Sequence, residues 1–186
     1  MTAMRQLILF IASSLDGYIA TTTGDVDWLF TDQDYGYTKF FANIDTVLMG
    51  RKTYEQIQNF GEYPYPGTQG FVFSRKQNSQ SDAHVEFISS SVTSFVKNLK
   101  TQTGKQIWLV GGAALIQSCL QADLIDELIL SIHPIILGEG IPLFPSPLSR
   151  KNLSFQHCET FKTGLVQLTY TRERMQADWS GALSNQ

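Results

Sequence analysis

Cysteine and histidine are scarce in this chain, and positive charge is in slight deficit. With Cys119 and Cys158 as the two cysteines and His84, His133 and His157 as the three histidines, neither a disulfide framework nor a zinc site with Cys-x-x-Cys spacing is indicated. Lysine and arginine total 14 against 17 acidic residues, a net charge of -3, which leaves no electrostatic footprint for nucleic acid or an anionic membrane. Small molecules are therefore the expected partners. No run approaches the roughly 20 apolar residues of a membrane span, and Met1 to Gln6 lacks the basic start and long apolar stretch of a signal peptide, so a cytoplasmic location is expected. Gly-x-Gly-x-x-Gly and Gly-x-x-x-x-Gly-Lys-Ser/Thr are both missing, which removes any Rossmann or P-loop reading. No linker composition interrupts the 186 residues, so residues 1–174 are expected to form one domain. Residues 175–186 carry no sustained pattern and are expected to be frayed or disordered.

What is present is a regular alternation of apolar runs and helical patterns. Ile107 to Ile116 reads as a buried strand, a Gly111-Gly112 turn and a packed helix. The glycines either make a tight turn only or bring the backbone close to a ligand, with the following helix N-terminus favouring a phosphate. Thr46 to Met49, followed by Gly50-Arg51-Lys52-Thr53 and the spacing of Tyr54 and Ile57, repeats that arrangement. Leu7 to Ala12 is a central strand entering the loop Ser13 to Gly17. A helix is expected over about 33–43, and strands over Phe71 to Phe73 and Val85 to Ile88. Val92, Phe95, Val96 and Leu99 follow the i, i+3, i+4, i+7 spacing of an amphipathic helix, closed by Gly104. Leu128 to Leu137 is strand-like with a break at His133-Pro134. Leu153 to Phe161 and Leu165 to Arg172 meet at Lys162-Thr163-Gly164 as a hairpin. The pattern predicts an α/β fold whose early strands are parallel and whose last hairpin is antiparallel.

In such sheets ligands bind beyond the carboxyl ends of the strands, where both glycine turns fall. Gly50 to Thr53 offers helix N-terminal amides, the Arg51 and Lys52 charges and the Thr53 hydroxyl; Gly111 to Ala114 offers amides alone. Two anion sites fit a dinucleotide. Arg75 and Lys76, at another strand end, either hold a 2′-phosphate, which would favour NADPH over NADH, or are plainly solvated.

Leu-Met-Gly-Arg-Lys-Thr-Tyr-Glu (48–55), Pro-Tyr-Pro-Gly (64–67) before a strand ending in Ser74-Arg75, and Trp-Leu-Val-Gly-Gly (108–112) resemble the dihydrofolate reductase superfamily in order and spacing. Ser-Leu-Asp-Gly-Tyr-Ile-Ala (14–20) and Pro-Ile-Ile-Leu-Gly-Glu-Gly-Ile-Pro-Leu-Phe (134–144) are similar to the reductase domain of bacterial riboflavin biosynthesis and its stand-alone relatives. The resemblance covers about Leu7 to Arg172. It implies a three-layer sandwich around a mixed, mostly parallel sheet, and NADPH bound through Gly50, Arg51, Lys52 and Thr53, through Ser74, Arg75 and Lys76, and through Gly111, Gly112, Ala113, Ala114 and Leu115. It places Ala12 and Ile19 beside the nicotinamide and Asp16, Trp28 and Ser131 around the substrate. Dihydrofolate reductases join the matching glycine pair by a cis peptide, so a cis Gly111-Gly112 bond is implied, and the riboflavin relatives pair through subunit contacts, so a homodimer is implied.

Asp34 stands where dihydrofolate reductases carry the carboxylate that assists proton delivery, a role needed because hydride addition to a C=N bond must be matched by a proton on nitrogen. It reads equally as an acid complementing a helix dipole, with Asp16, Asp27 and Asp32 as competing acids. The chain departs from the folate pattern at Asp27-Trp28, which replaces Pro-Trp, and at Thr68, where an arginine follows Pro-Gly. It departs from the riboflavin enzymes at Phe40 to Asp45, where an arginine-bearing stretch precedes their second strand. The implied activity is NADPH-dependent reduction of a small nitrogen heterocycle, in the manner of 5-amino-6-(5-phosphoribosylamino)uracil reductase. The alternatives are a non-catalytic NADPH-sensing module and a true dihydrofolate reductase.

Overall fold

A computed structural model describes residues 4–59, 61–75 and 82–173. Lys76 and the segment 175–186 lie outside these. The described elements are β1 (Leu7–Ser14), β2 (Tyr18–Ala20), α1 (Tyr37–Phe41), β3 (Ile44–Gly50), α2 (Arg51–Gln58), β4 (Gln69–Phe73), β5 (Val85–Ile88), α3 (Val92–Thr101), β6 (Gln106–Gly111), α4 (Ala113–Gln121), β7 (Glu127–His133), β8 (Ile141–Pro142), β9 (Leu153–Thr160) and β10 (Val166–Arg172). Eight strands form one sheet in the order β5-β4-β3-β6-β1-β7-β10-β9. All pairings from β5 to β7 are parallel, and the closing hairpin adds β10 and β9 antiparallel.

Why the central strands read as unbroken apolar runs follows from their burial on both faces. Leu7, Leu9, Leu48, Ile107, Leu109 and Ile116 are fully covered on the α3/α4 side. Val47, Met49, Tyr54, Ile57, Val72 and Trp108 pack on the other side, with Tyr37, Phe40 and Phe41 of α1 closing over Trp108. Helices thus cover both faces, giving three layers. Truncating one of the covered leucines to alanine would cost about 2 to 5 kcal/mol.

Three expectations are corrected. The first helix is shorter than the 33–43 span, because Tyr35 (φ 49) and Gly36 (φ 79) are left-handed and a right-handed helix cannot start until Tyr37. The Gly111-Gly112 peptide is trans; the cis bond among the described residues is Ser146-Pro147, and φ values of 147 and 96 at the two glycines make the turn instead. Helix α3 ends at Thr101 and is capped by Gln102 rather than by Gly104. The outer strand is β9, since β10 is paired on both sides; β9 leaves Phe155 and Leu153 exposed. A small addition is the β2/β8 ladder, too short to carry a periodic signal, which folds the Ser14 to Ala20 loop against Ile141-Pro142.

Candidate active site

β3 and β6 are neighbours, yet the helices that follow them leave on opposite faces: Tyr54 and Ile57 of α2 join one core and Leu115 and Ile116 of α4 the other. A crevice between the two turns is the geometric result. Gly50 is the N-cap of α2 and Gly112 the N-cap of α4, and neither supplies a side-chain cap. The first amides of both helices, with their positive dipole ends, therefore lack an intrahelical partner beside one another, an arrangement suited to an anion. The turns nearly touch. A Cβ added to Gly112 would lie 3.3 Å from Gly50 Cα and 3.3 Å from Thr53 Oγ1, on a backbone with φ 96. The cradle has room for backbone and ligand, not for a side chain.

The predicted cofactor residues divide. Gly50, Thr53, Gly111, Gly112 and the α4 start at Ala113 and Ala114 come together here. Leu115 instead turns its amide back onto the Gly112 carbonyl at 2.8 Å and buries its side chain in the core. Arg51 pairs with Glu55 at 2.6 Å along α2, and Lys52 is exposed. Because Gly50 pairs with Phe73 across β3 and β4, Ser74 and the exposed Arg75 leave the sheet next to the Gly50 turn. The Ser74 amide continues the ladder to the Ile88 carbonyl at 3.0 Å.

Two strands further along the same carboxyl edge, Ala12, Ser131 and Gln167 are direct partners across β1, β7 and β10, so their side chains share one face. Ser131 is buried and receives the Gln167 amide at 3.0 Å. Ile19 on β2 is half-buried against the α3/α4 core. The loop from Val26 to Gly36 roofs this end. His133 anchors it: the Phe30 amide donates to Nε2 at 3.2 Å, while Nδ1 faces the Ser131 carbonyl at 3.3 Å. An imidazole that accepts at Nε2 and donates at Nδ1 is neutral, and burial holds its pKa below the ordinary value. Trp28 stands edge-on to His133 with ring centroids 5.2 Å apart, and its buried indole N-H has no partner among the described residues. Tyr35 ties the roof to the hairpin through Thr163 Oγ1 at 3.1 Å and through ring contact with Phe161.

The acids lie around the cleft rather than in it. Asp16 accepts from the Ser14 hydroxyl at 2.6 Å and from the Leu137 and Gly138 amides at 3.1 and 2.8 Å, which closes one loop on another and holds its carboxyl below the usual range, the Ser14 bond most of all. Asp34 is exposed and takes both the hydroxyl (2.6 Å) and the amide (3.0 Å) of Thr38; the hydroxyl is the main reason its carboxyl is also held low. Asp32 accepts from the Tyr35 hydroxyl at 2.6 Å. Asp27 is exposed. Thr68 donates its hydroxyl to the Tyr65 carbonyl at 2.8 Å. A separate groove of about 770 Å³ lies at the opposite, amino end of β7, between Leu120, Leu128, Phe144, Leu153 and Tyr170, and none of the glycine turns reaches it.

Sequence reasoning missed His133, Tyr35 and Gln167. His133-Pro134 is visible only as the end of a strand, and the contact of Gln167 with Ser131 depends on hairpin register.

The chain is similar over nearly its whole length to proteins already known. The family model of the RibD C-terminal domain matches residues 5–167. The uncharacterized protein YyaP of Bacillus subtilis (strain 168) is 41% identical over 181 residues, covering 89% of this chain and 94% of that one. A putative riboflavin biosynthesis protein from Shewanella sp. PV-4 has a crystal structure that superposes with a TM-score of 0.82 at 30% identity, covering 91% of this chain and 99% of the other. The diaminohydroxyphosphoribosylaminopyrimidine deaminase/5-amino-6-(5-phosphoribosylamino)uracil reductase of Thermotoga maritima shares the fold, with a TM-score of 0.72 at 20% identity over 91% of this chain and 57% of that longer one. The glycine turns that build the crevice and the parallel strands that carry them fall inside the matched span, and the chain belongs to the RibD C-terminal domain family.

Proposed function

We propose that this protein is an NADPH-dependent reductase of a small, planar nitrogen heterocycle. The observation that carries this is the meeting of two uncapped helix starts at Gly50 and Gly112, where a Cβ would fill the space. That crevice fits a pyrophosphate held by amides rather than by lysines. Arg75, leaving the sheet beside it, would hold the 2′-phosphate together with Lys76, next in sequence. Ala12 and Ser131 form the floor of the adjoining cleft, and Trp28 and Phe30 its roof. NADPH supplies a hydride when bound. The chain's own part is to hold the two rings in register, exclude water with the aromatic roof, and offer the Ser131 hydroxyl at the heterocycle.

Asp34 borders the cleft through Tyr35 and Gly36, but a carboxyl held ionised by Thr38 is a weak proton donor at neutral pH. We assign it to the start of α1 and leave the proton on nitrogen to solvent at the open rim. The same exposed Asp34 favours a second reading, a module that binds NADPH without turnover. Thr68, an uncharged group already bonded to Tyr65, offers no bidentate partner for a folate tail, so dihydrofolate is expected to be poorly used. The exposed Phe155 and Leu153 on β9 favour a homodimer, expected in sedimentation as twice 20.9 kDa; a monomer at micromolar concentration would refute that part.

NADPH oxidation is to be followed against pterins, aminopyrimidines and quinones, with cofactor binding measured in parallel. Turnover of a bare heterocycle supports the reductase. Tight NADPH binding with no turnover across the panel supports the sensor.

A further inference from the structure

The side-chain amide of Gln167 fixes the polarity of the cleft. Its Nε2 lies 3.3 Å from the Tyr35 carbonyl oxygen and 3.0 Å from Ser131 Oγ. A carbonyl oxygen only accepts, so the contact with Tyr35 requires the nitrogen of the amide, and not its oxygen, at this position. Both hydrogens on Nε2 are then engaged. Ser131 Oγ is an acceptor in one of these bonds, which leaves its own hydrogen to be donated elsewhere, and no protein acceptor for it occurs among the described residues.

The other end of the amide is equally constrained. Gln167 Oε1 points towards Gly36, where a Cβ would come within 3.9 Å of it. Gly36 has no side chain to cover that oxygen, and its φ of 79 disfavours any residue that would. One row of the sheet therefore presents a donor, the Ser131 hydroxyl, beside an acceptor that no side chain of Gly36 can cover, Gln167 Oε1. Tyr35 holds the arrangement still, since its ring is clasped by Phe161 and its hydroxyl by Asp32 and Thr163.

We propose that Gln167 is a specificity-determining residue: with Ser131 it reads a lactam edge, an N-H next to a C=O, on the heterocycle. This rests on the reductase reading above. The Ser131 hydroxyl donates to the ring carbonyl and Gln167 Oε1 accepts from the ring N-H. A ring that lacks the N-H leaves Oε1 facing a group that cannot donate, and polar sites reject such analogues because their own groups go unpaired.

The probes are 5,6-diaminouracil and 5,6-diamino-1,3-dimethyluracil, which keep the same carbonyls and amines while the second has no ring N-H. Each is titrated against the full-length protein by quenching of tryptophan fluorescence, with and without NADPH, and NADPH is titrated alone. The wild type is expected to prefer the unmethylated compound by about tenfold or more, and Gln167→Leu to reduce that preference to about threefold or less. Ser131→Ala, which leaves the β7 backbone pairing intact, is expected to shrink it as well and decides the matter if Gln167→Leu fails to fold. Equal affinity of the wild type for the two compounds, binding of neither, or a preference unchanged in the folded variants overturns the proposal. Failure to bind NADPH overturns the reductase reading by itself, because the titrations without cofactor still report on Gln167.

Discussion

The parallel sheet has two ends, and they are finished by opposite means. At the amino end, side chains close the structure: Arg5 is buried and bonds Asp45, Thr46 and the Lys105 carbonyl, while Lys100 pairs with Asp126 at 2.5 Å and Asp126 also accepts the Leu7 amide at 2.8 Å. At the carboxyl end the helices α2 and α4 start from glycines with no side-chain cap at all. Charges at one end satisfy the backbone and fix the strands. Amides at the other stay uncapped, which suits an anion. Under the proposed function, stability and binding belong to different ends of the same strands, and changes at the two ends should have separable effects.

The largest effect is expected at the amino end. Asp126→Ala removes the partner of a mostly buried Lys100 and the acceptor of the Leu7 amide, and breaking such a pair from one side costs about 3 to 5 kcal/mol. A lower urea midpoint with an unchanged slope is the expected result, the folded fraction still binding NADPH. Loss of NADPH binding without loss of stability would erase the distinction between the ends. Next is Gly112→Ala, which places a Cβ 3.3 Å from Gly50 Cα on a left-handed backbone. Strain of about 1 to 3 kcal/mol is expected together with a fall in NADPH affinity of roughly tenfold to a hundredfold. Fluorescence titration checks it, and undiminished affinity would mean the crevice is not the anion site.

A smaller effect is expected for Arg75→Ala. A charge-assisted contact contributes about 1.5 to 3 kcal/mol, so the preference for NADPH over NADH should fall by about tenfold. Equal affinities for the two cofactors in the wild type would show Arg75 to be a solvated cation only. The smallest is a pH effect at the roof. His133 has its pKa lowered by burial from 6.5, so the unfolded chain takes up a proton before the folded one does. Its contribution to stability is present above pH 6.5 and is lost as pH falls through the depressed folded value. Protonation also removes the Nε2 acceptor of the Phe30 amide. Melting temperature should therefore drop on acidification, and His133→Gln should flatten that part of the profile; an identical profile in the variant would exclude His133 as its source.

Local signals made much of the architecture legible. Val85 to Ile88 appears as β5 with the boundaries its apolar run suggested, and Lys162-Thr163-Gly164 joins β9 to β10. The glycine turns were legible because strand, glycine and helix follow each other without a gap. What escaped was set by distant contacts. The helix start at Tyr37 depends on left-handed Tyr35, held by the hairpin through Thr163 and Phe161. His133 acquires its role from the Phe30 amide, and Gln167 from Ser131 and Tyr35. The family resemblance places Asp34 near the cleft, but the direction of its carboxylate is decided by Thr38 one helical turn later.

The glycine crevice has a consequence for how such a site shows itself to mutagenesis. Much of its surface is main chain, which every residue possesses, so Gly50 and Gly112 offer no side chain for a truncation to take away. Variants that only remove side-chain atoms would report Arg5, Asp126 and the buried leucines as important and would pass over the turn proposed to hold the cofactor. The informative experiment there adds atoms one at a time, and the sensitive positions are those where the smallest addition, a single methyl group, is already too much.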